Sequence, residues 1–290
     1  MKLCSFCGHG FGANGWDCPS CGKSPHKKNG IMMFAPSLEE SGVNYDPDYF
    51  NKLFAIEPGH FWFTSRNGLI MWALRKYCPS AGSFFEAGCG TGFVLAGVGR
   101  AFGGMRLAGA DMFSECLMLA GQRSPGAELC QMDARNVPFK NEFDCAGCFD
   151  TLEHIAEDET VISEIHKALK PGGVFVATVP QHPFLWSAAD RSARHLRRYT
   201  RKELAGKMTA AGFRVERVTS FVSLLFPALL VSRAFRKKHA AGKSGGYEFD
   251  VRPFMNKALS AVMSAERRLI SAGVSFPAGG SLLAVARKPA

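Results

Sequence analysis

The chain has 290 residues, is 47% hydrophobic and carries a formal net charge of +10, which excludes a disordered tail and fits one large domain or one domain with appendages. No stretch reaches the roughly 18 to 20 uninterrupted apolar residues that a membrane span needs, and "MKLCSFCGHG" lacks the apolar run of a signal peptide, so a cytoplasmic protein is expected. The charge is uneven: residues 191–290 hold 20 Lys+Arg against 5 Asp+Glu, a block that fits an anionic membrane surface at the inner membrane face, RNA or an acidic substrate, and equally a solvated face with no partner.

At the N-terminus, Cys4-x-x-Cys7-Gly and, after ten residues, Cys18-x-x-Cys21-Gly read as two knuckles of a zinc ribbon. Four thiolates at this spacing wrap one tetrahedral Zn²⁺, and the glycine after each pair permits the tight turn around the ion. With protein thiolates as all four ligands, the site is structural, and His9 and His26 are bystanders. Residues 1–35 are expected to form a separate zinc-ribbon module that offers a place for a protein partner. The other six cysteines are scattered or lie in apolar runs. Cys145 and Cys148 sit on a strand, where their odd separation sends them to opposite faces as buried apolar groups.

Residues 44–77 place aromatic and apolar positions at helical spacing, predicting two helices. From residue 83 the pattern alternates: strand "SFFEAG", helix 92–102, strand "MRLAGAD", helix 113–122, strand "AELCQMD", strand "FDCAGCFD", helix 157–169 and strand "GGVFVATVP". Alternation of this kind means parallel strands joined by crossover helices. A helix at 200–211, a strand at "FRVERVTSF" and a last strand at "SLLAVARK" make seven strands. Between the last two lies an apolar segment with a basic end, "SFVSLLFPALLVSRAFRKKH". It is too short to span a bilayer, and fits an interfacial segment, a wall for a greasy ligand or a cap over the sheet edge.

The turn after the first of these strands is Glu86-Ala-Gly88-Cys89-Gly90-Thr-Gly92. Its acid-x-G-x-G-x-G spacing differs from the dinucleotide G-x-G-x-x-G, and resembles the class I S-adenosylmethionine-dependent methyltransferases. Asp111 ends the next strand and Asp133 the third, so acids at neighbouring strand tips point into one crevice beside the glycine turn, where open α/β sheets bind ligands. "FDTLEHI" and "LKPGGVFVATVP" continue the likeness in order. The resemblance implies an α/β, Rossmann-like, seven-stranded methyltransferase fold over residues 44–290, with a core at 80–220, a helical insertion at 221–275 and a last strand at 281–288. It carries contact with S-adenosyl-L-methionine onto Glu86, Gly88, Cys89, Gly90 and Gly92, onto Asp111 (ribose) and Met112, onto Asp133 and Ala134 (adenine), and onto Phe149, Asp150 and His154.

Outside the core, "HFWFTSRN" and "His195-Leu-Arg-Arg-Tyr199" resemble a bacterial subgroup with an aromatic F-W-F helix. Phe61, Trp62 or Phe63 can face the cationic sulfonium, a contact worth about 0.5 to 2 kcal/mol, or simply pack the helix. Arg66 can pair with the methionine carboxylate or lie exposed. If the acceptor must lose a proton, His182 and His195 are the base candidates, followed by His154 and Tyr199. Asp190, Arg194, Arg197 and Arg198 are expected near the acceptor, the arginines to hold a phosphate or carboxylate. The leading expectation is methyl transfer to a small-molecule or lipid- or glycan-linked acceptor. The alternatives are a ribosomal or transfer RNA methyltransferase, and a non-catalytic adaptor whose ribbon recruits a partner.

Overall fold

The computed structural model describes residues 1–12, 15–40, 48–239 and 251–290. The N-terminal segment forms two short antiparallel pairs, β1 (Lys2–Leu3) with β2 (Gly10–Phe11) and β3 (His26–Lys28) with β4 (Ile31–Met33). Helices α1 (Pro36–Glu40), α2 (Asp48–Ile56) and α3 (Phe61–Tyr77) follow. Then come β5 (Ser83–Ala87), α4 (Phe93–Ala101), β6 (Arg106–Asp111), α5 (Ser114–Arg123), β7 (Glu128–Gln131) and β8 (Phe143–Phe149). The chain continues through α6 (Asp158–Ala168), β9 (Leu169–Pro180), α7 (Ala188–Ser192), α8 (Arg201–Ala210) and β10 (Arg214–Phe221). It ends with α9 (Phe226–His239), α10 (Pro253–Ser271) and β11 (Ser281–Arg287).

One large sheet has the order β10-β11-β9-β8-β5-β6-β7-β4-β3. All seven expected strands are in it. Those from β9 to β4 run parallel, and β11 turns antiparallel between β9 and β10. The sheet has two strands more than the sequence predicts, because the β3–β4 hairpin adds itself beyond β7, Met32 and Met33 pairing with Cys130 and Gln131. Residues 26–33 are therefore continuous with the sheet, across the boundary expected near residue 35. Residues 44–47 and 240–250 of the expected methyltransferase domain and its insertion lie outside the described residues.

The strands are buried on both faces, which is why they read as unbroken apolar runs. Phe85, Cys148, Phe175 and Leu282 pack on one side, and Phe84, Cys145, Val174 and Leu283 on the other. Cys145 and Cys148 thus fall in opposite layers. Because β5 lies between β6 and β8 while the chain visits β6 and β7 before β8, the strand order reverses beside β5, and the crevice above its tip is the place where such sheets take ligands.

Two pieces of the fold brace that crevice from outside. Helix α10 packs along α3, and its Asn256 accepts from the Phe61 amide and donates to the Gly59 carbonyl, both at 2.8 Å. Glu266 of the same helix is buried and accepts from the amides of Val222, Ser223 and Leu224 at 2.7, 2.6 and 2.7 Å. On the other flank, Trp16 packs edge-on against Phe34 and Phe139, with centroids 4.5 and 5.4 Å away, and its indole donates to Glu128 at 3.0 Å.

Candidate active site

A cavity of about 1200 Å³ opens above the tips of β5, β6 and β8. Its floor is the glycine loop. Gly88 and Gly92 both have φ of +75°; a Cβ on Gly88 would stand 2.4 Å from the Thr151 hydroxyl oxygen, and one on Gly92 would meet Ala120 at 2.8 Å. Only glycine combines that backbone with that approach. Nothing stands within 4 Å of where a Gly90 side chain would begin, so the loop backbone is bare on that side.

The acids at the strand tips are each held differently. Asp111 accepts from the Gly90 amide at 2.9 Å and the Phe113 amide at 3.1 Å, while its burial raises the carboxyl pKa. Glu86 is buried with its Oε2 unpartnered among the described residues, and burial pushes its pKa well up despite Arg66. Asp133 is gripped by Arg135, whose Nε and Nη2 lie 2.8 to 3.0 Å from its oxygens. Burial would raise its pKa, but these bonds outweigh it and hold the carboxyl low. Met112, Ala134, Cys89 and Phe149 line the same wall.

From the α3 side, Phe61, Trp62, Phe63 and Arg66 face the cavity. Arg66 is buried rather than exposed. It forms an ion pair with Asp150, stacks on Trp62 at 4.6 Å and keeps its Nε unpartnered among the described residues. Asp150 also accepts from the Thr178 hydroxyl at 2.8 Å, on a backbone with φ of +53°.

The loops after β8 and β9 make the opposite wall, and here the structure sorts the expected polar residues. His154, Asp190, Arg194, His195 and Arg198 line the cavity. Tyr199, expected near the acceptor, is instead fully buried in the core with its hydroxyl donating to Asp158 at 2.6 Å. Arg197 turns the same way, pairing with Asp158 at 2.9 Å. His182 is absent from the cavity wall; a backbone with φ of +64° turns its ring against Phe184 and Phe226.

Asp190 is the hub of this wall. It is 1% exposed and accepts from the Ser187 amide, His195 Nδ1 and Arg198 Nε at 2.8, 3.0 and 2.7 Å. Burial opposes its charge, yet these partners hold its pKa well below the ordinary range. The His154 ring meets that of His195 edge-on at 4.9 Å, and burial, with His195 beside it, lowers the His154 pKa to about 4.

Several cavity residues escape sequence reasoning. Glu153 is wholly buried, and neither of its carboxylate oxygens has a partner among the described residues; the only signal is its position beside His154. Glu57, just past α2, forms an ion pair with Arg123 and accepts from the Thr91 hydroxyl at 2.5 Å, tying the end of α2 to the glycine loop. Outside the cavity wall, Gln131 on β7 is fully buried and bonds both backbone groups of Ala35, as well as the Met112 carbonyl.

Away from the cavity, the sulfurs of Cys4, Cys7, Cys18 and Cys21 all lie within 4.8 Å of one another, with 3.7 Å from Cys4 to Cys21 and from Cys7 to Cys18. Zn–S bonds of about 2.3 Å put tetrahedral ligands roughly 3.8 Å apart, so this donor set fits one such ion. Gly8 and Gly22, at φ of +73° and +69°, close the two knuckles by donating to the Cys4 and Cys18 carbonyls at 2.9 Å.

Among the described residues, part of the basic last third is engaged inside the protein. Arg201, Arg217, Arg287 and Lys288 donate to backbone carbonyls, and Arg198 and Lys207 pair with buried carboxylates. No helix among the described residues is long and apolar enough to cross a membrane.

The sequence model of a family described as "Methyltransferase domain" matches residues 85–177. A probable S-adenosylmethionine-dependent methyltransferase of Mycolicibacterium smegmatis is 26% identical over 163 residues, covering 54% of this chain and 61% of that protein. A ubiquinone biosynthesis O-methyltransferase of Albidiferax ferrireducens is 26% identical over 126 residues, covering 40% and 49%. The match thus spans less than two thirds of either relative. Among solved structures, a chain of the complex between the Haloferax volcanii Trm112 methyltransferase activator and a methyltransferase superposes with a TM-score of 0.58 at 18% identity, over 86% of this chain and 100% of that one. The Haemonchus contortus phosphoethanolamine N-methyltransferase 2 gives 0.56 at 17%, over 87% and 61%. Residues 85–177 thus resemble the methyltransferase-domain family, and the chain has the Rossmann-like fold of class I methyltransferases.

Proposed function

We propose that this chain is an enzyme that moves a methyl group from S-adenosyl-L-methionine to a small-molecule or lipid- or glycan-linked acceptor held in the cavity. The observation that carries the reading is the joining of Asp111 to the Gly90 amide beneath an open cavity, within the segment that matches the methyltransferase family. The Asp111 carboxylate accepts from the Gly90 and Phe113 amides, with the Met112 amide and the Cys116 thiol also bonded to it, and its face toward the cavity is left to receive ribose hydroxyls. Ala134 and Met112 border the adenine position, with Asp133 held beside them by Arg135. The buried, unpartnered atoms Glu86 Oε2 and Arg66 Nε mark where polar groups of a bound donor complete the site.

When bound, the cofactor supplies a methyl group on a cationic sulfonium. The chain's own work is to hold the acceptor in line with that methyl group and to keep water out. Phe61, Trp62 and Phe149 give aromatic walls on the donor side, and Arg66, fixed by Asp150, stands ready for the methionine carboxylate. Leu225 just before α9, Leu229 of α9 and Leu259 of α10 line the acceptor side, while Leu230, Val231, Phe254 and Met255 on the same helices are exposed. An acceptor with an apolar part fits these walls. Its nucleophilic atom meets the polar face made by Glu153, His154 and His195, with Arg194 and Arg198 beside it.

Cys4, Cys7, Cys18 and Cys21 hold one structural zinc ion in this reading, and the ribbon with its exposed Phe6 offers a protein partner a surface. Calorimetry tests the donor site: micromolar binding of S-adenosyl-L-methionine to the folded chain is expected, and no binding overturns the proposal. Mass spectrometry of extracts incubated with a deuteriomethyl-labelled cofactor then reads which acceptor gains the label, and on oxygen, nitrogen or carbon.

A further inference from the structure

Glu153 poses a problem that methyl transfer alone does not answer. Its side chain is 0% exposed, lines the cavity, and has both carboxylate oxygens unpartnered among the described residues. Burial and the nearby Asp150 charge penalise this carboxylate, and the Arg66 and Arg198 charges offset that only in part; a cation held by its oxygens would supply the rest. A proton does not resolve it well, because an acid hydroxyl here would need an acceptor, and His195 Nε2 is 3.9 Å from Oε1. That is too long for a hydrogen bond.

It is a suitable separation for two ligands of one ion. Ligand atoms of Glu153, His154 and His195 all lie within 4.8 Å of one another. Each histidine is also anchored from behind: His195 Nδ1 by Asp190 at 3.0 Å, and the His154 ring by the Arg194 backbone. Metal-ligating histidines are oriented in this way, one nitrogen held by a carboxylate or carbonyl so that the other faces the ion.

We infer that Glu153, His154 and His195 bind a first-row divalent cation on the acceptor wall of the cavity, a site distinct from the four-cysteine cluster. Two imidazoles and one carboxylate form a triad that leaves coordination positions open. Those positions face the cavity, where water or two adjacent oxygens of an acceptor can fill them. The metal site stands on its own geometry; only the acceptor's place in it rests on the methyl-transfer reading. Asp190 is a positioning residue here, acting through His195.

Manganese(II) is the probe, because its preference for carboxylate and imidazole over thiolate separates this site from the cysteine cluster. The full chain, with its cysteines loaded with zinc, is titrated with Mn²⁺ while the electron paramagnetic resonance signal of free Mn²⁺ is followed. One bound Mn²⁺ per chain is expected, weakened at least about tenfold in Glu153→Gln and in His195→Ala and unchanged in Cys4→Ser. Binding that persists in both cavity variants, or no binding, overturns the inference. Should a variant fail to fold, paramagnetic broadening of the His154 and His195 ring protons in the unmodified chain decides the same question, and sharp rings at saturating Mn²⁺ count against the site. Cofactor calorimetry on the same samples keeps the two readings apart. Donor binding without Mn²⁺ binding removes this inference alone, and Mn²⁺ binding without donor binding removes the methyltransferase reading alone.

Discussion

The Asp111 carboxylate and the Gly90 amide are joined at 2.9 Å across the mouth of the glycine loop, so one side chain both shapes the loop and faces the cavity. Asp111→Ala removes the acceptor for two backbone amides as well as the ribose contact. A hydrogen bond to a charged group contributes about 1.5 to 3 kcal/mol, and donor affinity is expected to fall roughly tenfold to a hundredfold. Titration calorimetry on the folded variant reads this. Unchanged affinity would remove the proposed ribose contact.

Gly92 tests the loop from below. Alanine there would place a Cβ 2.8 Å from the Ala120 backbone on a residue with φ of +75°, so α4 and α5 must separate or the turn must distort. A left-handed non-glycine residue and an overpacked contact each cost about 1 to 3 kcal/mol. Gly92→Ala is expected to be destabilised by about 2 kcal/mol or more in denaturant melts, whereas Gly90→Ala, strained by its φ of +51° but with open space around it, escapes the overpacking and keeps more of its stability.

The sheet was legible because its strands are buried on both faces and stand between glycine and proline punctuation, which leaves apolar runs of strand length. The β3–β4 hairpin was not. "HKK" and "IMM" are too short to show a period, and their place beside β7 depends on Gln131 bonding to Ala35 across the fold. The wall proposed for the cofactor follows from strand tips, whose direction the alternation fixes. The wall proposed for the acceptor comes from loops, where a backbone at positive φ turns His182 away and a core carboxylate captures Tyr199. In a loop, residue type announces chemistry without direction. The same limit hid Glu153, and it made the basic third look free when many of its side chains are bonded to carbonyls and carboxylates.

Asp158 links the loop after β8 to α8 by receiving Lys207 at 2.7 Å, Arg197 at 2.9 Å and the Tyr199 hydroxyl at 2.6 Å. Burial opposes its charge, but the Lys207 and Tyr199 bonds prevail and hold its pKa below the ordinary value. A depressed carboxyl stabilises the fold above the unfolded pKa of about 3.9, and that contribution is lost as pH falls through the lower folded value. Asp158→Asn leaves the half-buried cations Lys207 and Arg197 without their counter-ion and is expected to cost about 1.5 to 3 kcal/mol at neutral pH. The loss relative to the unmodified chain should shrink below pH 4. A constant difference down to pH 2 in denaturant melts would show that the charge on Asp158 contributes nothing.

The four-cysteine cluster is coupled to the sheet through Trp16. This residue lies two positions before Cys18, is 6% exposed, packs on Phe34 and Phe139 and donates to Glu128 on β7. If the four cysteines hold the zinc ion proposed above, a segment this small depends on that ion for folding. Stripping zinc with a chelator is therefore expected to release Trp16 into water and shift tryptophan emission to the red. The chain has four tryptophans, so Trp16→Phe, in which the shift should largely vanish, assigns the change. Amide exchange at Phe34, whose N–H is bonded to the Gln131 carbonyl at 2.8 Å, should quicken in the same sample, because β4 pairs with the sheet for only two residues and needs the ribbon to hold it. Zinc release with no change in emission or exchange would mean that the ribbon and the sheet edge fold independently, and Trp16 would then have to be held by Phe139 and Glu128 alone.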